Sequence, residues 1–66
     1  MQKIYWLEYV NANHYHENAE GLRQYRLITE TFWTKSERNS RRYWLKHNES
    51  DAYQEHGIGF DLVDLD

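Results

Sequence analysis

Two blocks of opposite charge are the residues best placed to do chemistry in this chain. Residues 23–46 hold Arg23, Arg26, Lys35, Arg38, Arg41, Arg42 and Lys46 against Glu30 and Glu37, a local charge of +5. Residues 47–66 hold Glu49, Asp51, Glu55, Asp61, Asp64 and Asp66 with no basic residue, a local charge of −6. Cations gathered on one surface contact phosphates, and Tyr43 or Trp44 beside them can stack a base. Arg23, Arg26, Arg38, Arg41, Arg42 and Lys46 with Tyr43 therefore form a candidate nucleic-acid-binding set. The net charge of −3 works against that use. Carboxylates on a small scaffold can instead occupy a basic groove on a larger protein and imitate backbone phosphates. That makes Glu49, Asp51, Glu55, Asp61, Asp64 and Asp66 the candidate protein-binding residues. Tyr5 and Tyr9 join them as aromatic anchors that keep a polar handle. The plainest alternative is that the two blocks are solvated faces attracting each other across the domain.

Other constellations carry less. His14 and His16 are one residue apart and can approach one ion on an extended segment, with His47 or His56 completing the set. A structural zinc site needs four defined ligands, so no metal or other cofactor is expected. The chain has no cysteine, which excludes disulfides, thiolate metal sites and a thiol nucleophile. Ser36, Ser40 and Ser50 lie in polar stretches without a nucleophile elbow. Gly57-Ile58-Gly59 lacks the third glycine, the lysine and the helix start of a phosphate-cradling loop. No enzymatic activity is expected.

The elements that must position these residues are few. Residues 3–10 (KIYWLEYV) read as a strand with faces Ile4, Trp6, Glu8, Val10 and Tyr5, Leu7, Tyr9. Neither face is cleanly polar, which favours a central strand or an edge strand meeting a partner. Residues 11–18 (NANHYHEN) have little to bury and read as a loop. On a helical wheel Leu22, Tyr25, Ile28, Thr29, Phe32 and Trp33 share one arc, so an amphipathic helix is predicted over about 19–36, with Asn18 as its cap. Read as a strand, the same segment leaves Ile28 and Phe32 sharing a face with Arg26 and Glu30. Residues 36–40 then form a turn or a frayed helical end, and 42–47 (RYWLKH) a strand. Residues 48–51 form a turn. Residues 53–56 make an irregular strand or one helical turn, and 58–65 (IGFDLVDL) the last strand. The expectation is one α+β domain over 1–66, a β-α-β-β arrangement with one amphipathic helix on a small sheet. An all-β four-stranded meander is the alternative.

With 66 residues, such a domain buries only about 60% of the surface its unfolded chain exposes. Eleven aromatic residues must supply much of its core, and Trp6, Trp33 and Trp44, one per expected element, fit a shared core. Tyr5, Tyr9, Tyr15 and Tyr43 exceed what a thin two-layer domain covers, so some face a partner or a second copy. Residues 1–8 lack the form of a secretory signal, and no apolar run approaches the ~20 residues of a membrane span. A cytoplasmic location and no membrane contact are expected. The function class that follows is a small protein-binding inhibitor or adaptor docking a basic site on a larger protein, with nucleic-acid-binding proteins among the expected partners. Compact proteins encoded by phages and mobile elements share this profile of size and charge. A nucleic-acid-binding module and a structural oligomeric subunit, such as a homodimer, are the alternatives.

Overall fold

The computed structural model describes residues 1–64. Its elements are β1 (Gln2–Glu17), β2 (Arg23–Phe32), α1 (Lys35–Asn48) and β3 (Tyr53–Val63). They form an α+β domain with one helix packed against a three-stranded sheet of order β2-β1-β3. Both outer strands pair antiparallel to β1, so β1 is the central strand and β2 and β3 run parallel to each other on either side of it.

The class agrees with the sequence and the order of elements does not. Arg23–Phe32, read as the middle of a helix, is a strand. The β-branched Ile28, Thr29 and Thr31 favour that state. Of the two charges this places beside Ile28 and Phe32, Arg26 is exposed, and tertiary pairing satisfies Glu30. Glu30 accepts a hydrogen bond from the Tyr9 hydroxyl and one at 3.1 Å from Arg41 Nε. Asn18 does cap a backbone, but of a hairpin turn: its Oδ1 accepts from the amides of Glu20 at 2.9 Å and Leu22 at 3.0 Å. Gly21 completes that turn at φ +77°, a left-handed conformation glycine takes without cost.

Residues 42–47, read as a strand, and the expected turn at 36–40 both belong to α1. The start signal is the sequence Thr34-Lys35-Ser36-Glu37, a capping box. Thr34 Oγ1 accepts from the Glu37 amide at 3.1 Å. The inward face of α1 is mostly polar: Arg38, Arg41 and Arg42 share it with Leu45, so apolar periodicity does not reveal the helix.

Residues 11–17, read as loop, continue β1, with Tyr15 opposite Tyr25 and Glu17 opposite Arg23. The ladder satisfies their backbone whatever their side chains, and an irregularity between Val10 and Tyr15 absorbs the extra residues. In β3 the register shift at Glu8/Tyr9 leaves His56 as the extra residue of a bulge.

One side of the sheet packs on α1. Its core is Leu7, Tyr9 and Leu45, joined by partly buried Ile28, Phe32 and Tyr53. The three tryptophans do not share it: Trp33 is 53% and Trp44 45% exposed, and Trp6 lies on the other side of the sheet. The Cα extents are 46 × 28 × 13 Å and the radius of gyration is 14.4 Å, against about 11 Å for a compact chain of this length. The molecule is a thin plate. No helix among the described residues is long and apolar enough to cross a membrane.

A candidate binding face on the open side of the sheet

Strand alternation sorts the charged residues between two very different sides. On the helix side most are engaged within the molecule, although Arg26 is exposed. Arg41 pairs with Glu30, and Arg42 with Glu55, which also accepts from Tyr53 Oη at 2.8 Å. Arg38 is buried, donates from Nη1 to the Gly59 carbonyl at 2.9 Å and lies 5.4 Å from the Tyr5 ring. Asn11, buried at the end of this side, donates to Glu49. These contacts polarise one another. The Arg42 guanidinium, aided by the Tyr53 hydroxyl and opposed by burial, holds the Glu55 carboxyl below its ordinary value. Burial and the neighbouring carboxylates, Glu30 for Tyr9 and Glu55 for Tyr53, push both phenols above theirs.

The opposite side has no covering element. From one end, its rungs are Val10 with Leu27 and Gln54, Glu8 with Thr29 and Gly57, Trp6 with Thr31 and Gly59, Ile4 with Asp61, and Gln2 with Val63. The Trp6 indole lies across Gly57 and Gly59: a Cβ built on Gly59 would sit 2.7 Å from Trp6 Cζ2, and one on Gly57 3.1 Å from Cζ3. Only glycine leaves this space, and the ring fills it. Ile4, Trp6, Glu8, Thr29, Thr31 and Asp61 line one shallow hollow. Glu8 and Asp61 are the only charged residues on these rungs. Neither is in an ion pair among the described residues; Glu8 accepts from Thr29 Oγ1 at 3.3 Å.

The sequence-derived sets are therefore not gathered as sets. Of the acidic residues, Glu49 and Glu55 are engaged by Asn11 and by Arg42. Asp51 is exposed in the α1–β3 turn, Asp61 stands on the open side and Asp64 follows β3, so they occupy opposite ends of that strand. Asp66 lies outside the described residues. Tyr9 is buried and is a core residue rather than a surface anchor, and Tyr5 is half-buried under Arg38. Of the basic set, Arg38, Arg41 and Arg42 hold α1 to the sheet. Arg23 lies 4.5 Å from the Tyr15 ring, while Arg26 and Lys46 are exposed. Tyr43 stacks on His47 at 3.9 Å on the outside of α1. His14 and His16 line a hollow with Arg26 in the hairpin arm, His47 is on α1 and His56 in the β3 bulge. No group of three metal-ligating side chains comes together among the described residues.

Trp6, Glu8, Thr29 and Thr31 were not singled out from the sequence. The signal was Gly57-x-Gly59 inside a strand, which marks two positions on one face where something else approaches the backbone. Compared with known proteins, the chain matches no family model, no curated protein and no solved structure.

Proposed function

We infer that this protein acts by binding, and that it docks a basic site on a larger protein through the open side of its sheet. The observation that carries the reading is a bare sheet face on which the Trp6 indole lies against Gly57 and Gly59, between two carboxylates, Glu8 and Asp61, that are in no ion pair among the described residues. A partner surface with an apolar centre and lysine or arginine at its rim is complementary to that face in shape and charge. The acidic contribution thus comes from Asp61 with Glu8, rather than from the C-terminal block as a whole.

A second copy of the chain is a poorer occupant. A two-fold face-to-face pairing repeats the same patch on both sides. It would bring four carboxylates together while the cation of this side, Arg23, lies six residues from Thr29 along β2, and buried charge without a partner is costly. The basic segment is a poorer binding surface as well, because three of its arginines are engaged within the fold.

The test compares capture by three forms of the protein from nuclease-treated lysate of its source: wild type, Glu8→Gln/Asp61→Asn, and Asp51→Asn. The reading expects one stoichiometric protein held by wild type and Asp51→Asn, released by salt, and lost with the double variant. Capture unaffected by the double variant, or lost with Asp51→Asn alone, would contradict it.

A further inference from the structure

The chain covers several of its aromatic rings with its own cations. Lys3 Nζ lies 4.9 Å from the Phe60 ring, Arg23 4.5 Å from Tyr15, Arg38 5.4 Å from Tyr5 and Arg41 4.9 Å from Trp44. Trp6, like Trp33, has no cation over it among the described residues, and it alone of the two borders the hollow between Glu8 and Asp61. One face of its indole rests on the Gly57 and Gly59 backbone, which leaves the other to the hollow.

We propose that this hollow receives one arginine side chain of the docked protein, its guanidinium stacked on the free face of Trp6 and its N–H groups directed to Glu8 or Asp61. The proposal rests on the docking reading above and names the group that the face recognises. Strand geometry sets the scale. Glu8 and the Ile4–Asp61 rung lie two residues either side of Trp6 along β1, about 7 Å in each direction. A guanidinium centred on the ring is therefore within side-chain reach of a carboxylate at either end. Its planar fork stacks on an aromatic face and still directs donors sideways, and it sheds water more readily than an ammonium. Thr29 and Thr31 add hydroxyl acceptors along the β2 wall of the hollow. Lysine meets the same charges, but as a point cation it cannot stack and donate in plane together.

The test titrates ¹⁵N-labelled protein with N-acetyl-arginine amide, N-acetyl-lysine amide and the neutral isostere N-acetyl-citrulline amide at millimolar concentration. The three tryptophan indole N–H signals are followed. The proposal expects arginine to move Trp6 and leave Trp33 and Trp44 in place. Lysine should bind about two- to fivefold more weakly, the range of an exposed cation–π contact, and citrulline should have no effect. Glu8→Gln/Asp61→Asn should weaken the arginine response while leaving the free protein's spectrum otherwise intact, so a lost response is not confused with lost fold. Lysine equal to or better than arginine at Trp6 would overturn the arginine proposal and leave the docking of a basic partner standing. No response of Trp6 to either cation would overturn both. A citrulline response equal to that of arginine would overturn the charge argument.

Discussion

The two sides of one sheet use the same kinds of residue for opposite purposes. On the side under α1, carboxylates and guanidiniums meet each other; on the open side, Glu8 accepts only from Thr29, and neither it nor Asp61 is in an ion pair among the described residues. Strand β1 supplies both, sending Tyr5, Leu7, Tyr9 and Asn11 to the helix and Ile4, Trp6, Glu8 and Val10 away from it. The difference separates charge paired within the fold from charge outside those ion pairs. A helix whose inward face is three arginines and one leucine cannot be held by apolar burial alone, so its ion pairs are structural. The open face holds nothing in place except Trp6 on its glycines.

The comparison can be broken most severely through the core. Leu7 and Leu45 are the largest fully buried side chains, and Leu45 is the buried apolar side chain of α1 among the described residues, so Leu45→Ala removes the helix's apolar anchor. It should cost about 2–5 kcal/mol, read as a lowered denaturant midpoint, and leave much of the population unfolded. Next comes the polar clamp. Glu30→Gln leaves Arg41 without its counter-ion and weakens the acceptor of Tyr9, which should cost about 1–3 kcal/mol by chemical denaturation. If Glu30→Gln were neutral, the helix side would be no more tied together than the open side, and the contrast would fail.

The pH dependence of stability sharpens the same contrast. Glu55 has a depressed folded value, so its contribution is present above the ordinary carboxyl value of 4.5 and is lost as pH falls through the lower folded one. Tyr9 and Tyr53 have raised folded values, so their contribution is intact below the ordinary phenol value of 10.0 and is lost as pH rises beyond it, where the unfolded chain ionises first. Melting temperature followed against pH should therefore fall at both extremes. Glu55→Gln should flatten the acid limb and Tyr53→Phe the alkaline one. The smallest effect on stability belongs to the open side: Gly59→Ala pushes a methyl against Trp6 Cζ2 and displaces the ring. About 1 kcal/mol or less of stability should be lost, because the ring can swing toward solvent, while the Trp6 indole signal shifts and partner binding weakens.

Much of this was legible in the sequence. The α+β class holds with the helix at 35–48 in place of 19–36, while β1 as a strand, its two faces and a turn following Asn48 are read from alternation and turn chemistry. The position of the helix did not, because both deciding segments invert the usual patterns. The Arg23–Phe32 segment places a carboxylate among apolar residues, which is tolerable only once Arg41 and Tyr9 arrive from elsewhere in the chain. The Lys35–Asn48 helix buries guanidiniums in place of a leucine stripe, and only its capping box announced it. The candidate face was half legible. Ile4, Trp6 and Glu8 could be placed together on one side of a strand, but the empty side of a sheet becomes visible only when the single helix is known to cover the other.

The most direct measurement of the central claim uses 5-fluorotryptophan at Trp6, Trp33 and Trp44, each resonance assigned by its Trp→Phe variant and followed by ¹⁹F NMR as the captured protein partner is added. One indole reports on the open side, one on the residue after β2 and one on the exposed part of α1. If the open side is the docking face, the Trp6 resonance shifts and broadens while the other two stay in place. A partner that moves Trp33 or Trp44 and leaves Trp6 unchanged would contradict the account.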